Sequence, residues 1–138
     1  MSGLKSTRTI FISEADFKRL LPIIEGMKNS RDDLRALRTE LENAEVLAPT
    51  DLPPDVISMN SKAKLRDLDS GEEMTFTLVF PGNASIEQDR ISVAAPIGTA
   101  MLGQRVGDEV EWEVPAGSVR LRVEEVLYQP EAAGHHHL

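Results

Sequence analysis

The hydrophobic pattern of this chain changes period at a proline-rich stretch, and that change most limits the folds it can adopt. Before residue 48, apolar residues recur every three or four positions, as on one face of a helix. After residue 55 they alternate with polar residues, as in a strand with one buried face. Pro49, Pro53 and Pro54 lie between the two patterns and stop the helical one. The sequence therefore predicts an α+β protein: a helical region at residues 1–48, a linker, and a β domain at residues 55–130.

A strong helix-start signal lies at Ser13. Its side chain can accept a hydrogen bond from the amide of Asp16, and acidic residues suit the positive end of a helix. Pro22 removes a backbone donor, so we expect it to kink or shorten this first helix. Gly26 is suited to end it.

A second helix start follows a turn of about four residues. Ser30 and Asp33 repeat the capping pattern, and the spacing predicts a helix over residues 31–47. Its apolar residues form a seam of about two heptads, comprising Leu34, Leu37, Leu41, Ala44 and Ala48. Because a seam needs a partner, we predict a short antiparallel coiled-coil hairpin that contributes little to the β core.

The β domain is predicted from alternating segments at residues 73–80, 109–114 and 120–123, separated by turn residues. One short helix, from Pro96 to Gly103, should interrupt the strands and pack on the sheet through Ile97, Ala100 and Met101. Leu102 falls off that face, so we expect it to be exposed. Residues 131–138 are predicted to be a flexible tail.

The sequence offers little for catalysis. It has no cysteine, and its only histidines, His135 to His137, lie in the tail, where they belong either to a native His-rich tract or to an expression tag. We therefore expect no enzymatic activity, cofactor or metal. Asp32 and Asp33 lie next to the predicted hairpin tip, where two carboxylates can hold Mg²⁺ or can simply stabilise a helix N-terminus.

The charge balance argues against direct nucleic-acid binding. The formal net charge is −8, and no run of lysine and arginine is present to replace the counterions of a phosphate backbone. No secretory signal or apolar run of about 18 residues is visible. We expect a cytoplasmic monomer without membrane contact, whose acidic surface suits a basic protein partner.

Several segments of the β region, taken in their order along the chain, resemble the C-terminal domain of the Gre transcript-cleavage factors. They are residues 91–103, with the run Ala94-Ala95-Pro96-Ile97-Gly98, then Val106-Gly107-Asp108, Pro115-Ala116-Gly117 and a closing strand to Tyr128. The hairpin, residues 56–61, 78–81 and 128–134 resemble the Rnk family, regulators of nucleoside diphosphate kinase. This resemblance implies an FKBP-like β domain that docks at the secondary-channel entrance of bacterial RNA polymerase.

The implied function is a polymerase-binding transcription regulator that occupies the channel entrance and competes with Gre-type factors. Gre factors carry a long coiled coil with an acidic tip; the hairpin here is far shorter, so we expect no transcript cleavage. Pro96, Ile97, Met101 and Leu102 are the predicted partner contacts. Two alternatives are an FKBP-like prolyl isomerase, which would need an aromatic-lined pocket, and direct regulation of nucleoside diphosphate kinase.

Overall fold

A computed structural model of the chain describes residues 4–5, 10–26, 35–114 and 117–134. It combines helices with a sheet, which confirms the predicted mixed class. None of the helices in these ranges is long and apolar enough to cross a membrane. The helices are α1 at Glu14–Gly26, α2 at Arg35–Glu42, α3 at Pro96–Met101 and α4 at Pro130–Ala133.

The strands in the described ranges are β1 at Leu4–Lys5, β2 at Phe11–Ser13, β3 at Glu45–Leu47, β4 at Lys62–Asp67, β5 at Glu73–Val79, β6 at Arg90–Ser92, β7 at Glu109–Val114 and β8 at Gly117–Tyr128. Six of these strands form one sheet in the order β1-β7-β8-β4-β5-β6. Its pairs are antiparallel except for β5 with β6, which is parallel. The other two, β2 and β3, pair in parallel with each other.

β4, which is not among the predicted strands, shows how the two faces of the sheet differ. Ala63 and Leu65 of β4 are buried on the inner face. On the outer face, Arg66 forms ion pairs with Glu73 at 2.7 Å and with Glu124 at 3.4 Å. Such partly exposed pairs contribute little to stability, so the inner apolar face supplies most of the free energy of folding here.

The N-terminal region packs into the same core as the sheet. Its buried members, each at most 3% exposed, are Ile10, Ile12, Leu20, Ile24 and Leu41. They belong to one hydrophobic cluster with sheet and loop residues that include Met59, Leu78, Met101 and Leu121. The expectation that the hairpin contributes little to the β core is therefore wrong, while the domain boundaries stay a prediction.

The start of α1 and its end at Gly26 agree with the sequence analysis; Pro22 does not shorten the helix, and a kink there stays a prediction. The Asp16 amide donates to Ser13 Oγ at 3.2 Å, as predicted for the cap. The helix continues through Pro22 to Gly26 instead of ending early. Pro22 and Lys18 are both exposed, so water can reach the Lys18 carbonyl that loses its helical donor.

The second helix is shorter than predicted. Residues 31–34 lie outside the described ranges, and α2 ends at Glu42. Glu45–Leu47 forms β3 instead, with Val46 opposite Ile12 and the Glu45 amide donating to the Ile10 carbonyl at 2.9 Å. The predicted heptad seam therefore has no helix beyond Leu41, because pairing with β2 replaces the helical hydrogen bonds of that segment.

A short helix follows the last strand. Residues 130–133 form α4, and the side chain of Gln129 accepts a hydrogen bond from the Ala132 amide at 3.1 Å. Gln129 Nε2 also donates to the carbonyls of Pro53 at 2.8 Å and Val56 at 2.7 Å. A flexible tail over residues 131–138 stays a prediction; residues 135–138 lie outside the described ranges.

Two neighbouring leucines test whether α1 belongs to the same hydrophobic core as the sheet. Leu20 is fully buried and Leu21 is 41% exposed. We expect Leu20→Ala to lower the free energy of unfolding by about 2–5 kcal/mol, and Leu21→Ala by about 0.5 kcal/mol or less. Equilibrium denaturation measures both. Equal, small losses for the two variants would contradict the shared core.

Candidate partner-binding surface

The short helix α3 is seated closely on β6. The position of Gly98 leaves no room for a side chain, since a Cβ there would lie 1.9 Å from the Ser92 carbonyl oxygen. The Thr99 hydroxyl donates to the Val93 carbonyl at 2.7 Å. The Ala94 amide donates to Ser92 Oγ at 3.0 Å. Together these contacts fix the turn that the sequence analysis singled out.

The predicted contact residues of this turn differ in exposure. Ile97 is half-buried and packs against the core, and Met101 is 1% exposed. Leu102 is also 1% exposed, so the expectation that it lies on the surface is wrong. The prediction considered only packing against the sheet. The residue after Leu102, Gly103, also packs against the N-terminal region. The side chain of Pro96 is outside the described set.

Gly103 is the residue at which α3 meets the N-terminal region. It has φ +76°, the left-handed stop expected at this position. A Cβ on Gly103 would lie 2.5 Å from the Cβ of Ile10. The Gly103 carbonyl accepts from the Phe11 amide at 3.2 Å, and its amide donates to the Ile57 carbonyl at 2.8 Å. The N-terminal region therefore packs directly against the residue that follows the buried Leu102.

The exposed surface next to α3 comes from the segment that follows it. Val106 is 43% exposed, and its amide donates to the Asp55 carbonyl at 3.1 Å. Arg105 donates to both carboxylate oxygens of Asp55 at 3.0–3.2 Å, and its guanidinium carbon lies 5.8 Å from the centre of the Phe11 ring. Val106 belongs to the segment that carries the family resemblance, and the structure adds that its side chain is exposed.

The predicted tip acids Asp32 and Asp33 lie outside the described ranges. A different acidic residue of the hairpin, Asp16, is fully buried. Its Oδ2 accepts from the Met59 amide at 3.0 Å, and its Oδ1 accepts from the guanidinium of Arg19. The guanidinium carbon of Arg19 lies 5.0 Å from the centre of the Phe80 ring. Asp16 therefore joins α1 to the segment that precedes β4.

A second acidic residue approaches the same segment from α4. Glu131 Oε1 accepts from the Ser58 hydroxyl at 2.7 Å, and Ser58 Oγ lies 2.8 Å from Ser61 Oγ. Both serines are buried. Ser58 therefore donates to the carboxylate of Glu131, and the next residue, Met59, donates to the carboxylate of Asp16.

Burial raises the pKa of Asp16 from 3.8 to about 6, because a buried carboxylate loses its hydration; the negative charge of Glu131 acts in the same direction. The Met59 amide and Arg19 act in the opposite direction, with smaller effect. Because the folded pKa exceeds the unfolded one, the stabilising effect of protonation is complete below the unfolded value. It is lost as the pH rises through about 6, by about 3 kcal/mol in total.

Within the described ranges, no group of three or more histidine, cysteine, aspartate or glutamate residues is arranged to hold a metal ion. Phe17, Phe76 and Phe80 pack against the core. A prolyl isomerase would need an aromatic-lined pocket, and these three side chains pack against the core. The isomerase alternative stays a prediction.

The seat of α3 can be tested at Gly98. We expect Gly98→Ala to lower the free energy of unfolding by roughly 1–3 kcal/mol or more, because its new methyl group meets the Ser92 backbone. Gly82→Ala is the matched control, since nothing lies within 4 Å of a Cβ there. Equal melting temperatures for the two variants would show that α3 is not seated this closely.

Comparison with known proteins gives matches to two family models. Residues 52–128 match the C-terminal domain of the transcription elongation factors GreA and GreB. Residues 8–47 match the Rnk N-terminus. The two models cover the β region and the helical region respectively.

Individual relatives agree with these matches. The "Regulator of nucleoside diphosphate kinase" of Escherichia coli is 41% identical over 131 residues, which are 94% of this chain and 96% of that protein. The transcription elongation factor GreA of Thermoanaerobacter pseudethanolicus is 37% identical over 67% of this chain and 59% of its own length. Among solved structures, a GreA/GreB elongation factor from Nitrosomonas europaea superposes with a TM-score of 0.74 at 40% identity, covering 87% of this chain and all of that one.

Proposed function

This chain belongs to the GreA/GreB C-terminal family and to the family of the regulator of nucleoside diphosphate kinase, and on that premise we propose that it binds RNA polymerase at the secondary-channel rim. The observation that carries the proposal is the match of residues 52–128, almost the entire β region, to a domain of transcription elongation factors. The mechanism is occupancy: the bound chain excludes Gre-type factors from the channel entrance.

The proposed contact surface lies at the α3 turn. It keeps Pro96 and the half-buried Ile97 from the sequence prediction and adds Val106, which follows α3 and is 43% exposed. Met101 and Leu102 are buried, so their role is to position the turn and not to contact the partner. The well-anchored backbone around Gly98 and Gly103 favours binding, because a rigid loop loses little conformational entropy when a partner docks.

We further propose that the chain does not stimulate transcript cleavage. The helices that the structure describes in the hairpin have 13 and 8 residues, about 20 Å and 12 Å at 1.5 Å per residue. The GreA relative is longer, since the matched region covers only 59% of it. A short hairpin fills the channel mouth without carrying acidic residues to the active centre.

The surface is tested with two exposed apolar residues. We expect Val106→Asp to weaken binding to core RNA polymerase about tenfold or more, since it places a carboxylate within the interface. Ile86→Asp, at a residue that is 90% exposed in the turn Ile86–Gln88, is the matched control and should bind normally. Surface plasmon resonance gives both affinities, and melting temperatures verify that both variants fold. Unchanged binding by a stable Val106→Asp variant would remove this surface from the proposal.

Occupancy without chemistry is tested in stalled transcription complexes. The purified chain should produce no transcript cleavage by itself, and increasing concentrations should inhibit cleavage stimulated by added GreA. Gel analysis of labelled transcripts measures both effects. Mg²⁺-dependent cleavage by the chain that disappears in a double variant with Asp32→Asn and Asp33→Asn would contradict the length argument.

The name of the Escherichia coli relative raises a second function, control of nucleoside diphosphate kinase. We propose that any such control by this chain is indirect and acts through transcription. A coupled assay of purified kinase should therefore show the same activity with and without the chain. A change in kinase activity at equimolar chain would favour direct contact.

A further inference from the structure

Two carboxylates from different parts of the fold accept hydrogen bonds from two adjacent residues, Ser58 and Met59. Asp16, on α1, accepts from the Met59 amide, and Glu131, on α4, accepts from the hydroxyl of the adjacent Ser58. The residue pair Ser58–Met59 lies in the segment between the linker and β4. Helices α1 and α4 therefore meet the segment before β4 here, through hydrogen bonds to buried groups.

The charges at this junction are not balanced. Two acidic side chains are close enough for Glu131 to act electrostatically on Asp16, and Arg19 is the cation that pairs with Asp16. Arg19 is partly exposed, with 37% of its side chain accessible, whereas 1% of the Asp16 side chain is accessible. Arg19 Nε is buried without a hydrogen-bond partner among the described residues. A neutral side chain at position 16 would accept the same amide hydrogen bond without this electrostatic cost.

We propose that Asp16 and Glu131 form a proton-dependent latch that fastens α1 to the β domain. The latch is closed when Asp16 carries a proton and loosens when Asp16 ionises. The groups that act on the Asp16 carboxylate in the described structure are Arg19 from its own helix, the Met59 amide from the segment before β4, and Glu131 from α4.

Protonation favours the closed junction for two reasons. It removes the cost of holding a bare carboxylate away from water, and it removes the repulsion between Asp16 and Glu131. One oxygen of the neutral carboxyl group, Oδ2, still accepts from the Met59 amide. The exposed side of Arg19 retains water and the Phe80 ring when its ion pair weakens.

The size of the effect follows from the two pKa values of Asp16. With a value of about 6 in the closed state and 3.8 in an open, hydrated state, raising the pH from about 5 to about 7.5 lowers the closed-to-open ratio roughly tenfold. This inference concerns contacts within the chain, so it holds whether or not the chain binds RNA polymerase.

Native-state hydrogen exchange of a single amide tests the latch directly. The Met59 amide is bonded to Asp16, whereas the next amide, Asn60, donates to the Leu78 carbonyl at 2.6 Å. We expect the protection factor of the Met59 amide to fall about tenfold relative to that of Asn60 between pH 5 and pH 7.5. Equal pH dependence of the two amides would overturn the proposal, because it would reflect overall stability instead of local opening.

Two isosteric substitutions assign the proton. In Asp16→Asn the relative protection of Met59 should become independent of pH. In Glu131→Gln the transition should move to lower pH, because the side chain still accepts from Ser58 but no longer repels Asp16. Glu125→Gln, at an exposed position of β8, is the control and should leave the transition unchanged.

The outcomes separate cleanly. An unchanged transition in Asp16→Asn would show that another group titrates and would overturn the latch. If Asp16→Asn does not fold, the direction of the shift in Glu131→Gln still decides: no shift, or the same shift in Glu125→Gln, contradicts the proposed pair.

Discussion

The contact between Ile10 and Gly103 connects the three parts of this chain. The Gly103 backbone bonds to Phe11 on one side and to Ile57 on the other. The N-terminal region, the residue after α3 and the segment before β4 therefore meet at one residue. A side chain at position 103 would overlap Ile10, and its positive φ is unfavourable for other residues. The core formed by the N-terminal region and the sheet depends on this close backbone approach.

This contact also explains which sequence predictions were confirmed. Local signals were read correctly: the cap at Ser13, the alternation in β5, β7 and β8, and the start and stop of α3 at Pro96 and Gly103. Each depends on residues within a few positions of one another. The mixed class and these local elements could therefore be predicted from the sequence, whereas the strands β3, β4 and β6 and the helix α4 were not.

The errors arose where distant segments meet. The segment after α2 continues a helical spacing of alanines, yet it pairs with β2 because Ile10 and Ile12 lie beside it. Leu102 was expected to lie off the sheet-facing side of α3, yet it is buried in the cluster that the N-terminal region shares with the sheet. Asp16 fits the capping pattern, and only the Met59 amide, 43 residues away, shows that its carboxylate is buried. Sequence periodicity reports which face is apolar, not which element covers it.

The candidate surface and the buried junction are parts of one connected structure. Residues 103–106 leave α3 and pair with residues 55–57, and the next residues, Ser58 and Met59, are held by Glu131 and Asp16. A partner that moved residues 103–106 would therefore also move the backbone that leads to Ser58 and Met59. Packed interfaces switch between discrete arrangements and do not deform continuously. If binding at the α3 turn favours one arrangement of the junction, then partner affinity and proton affinity at Asp16 must change each other to the same degree.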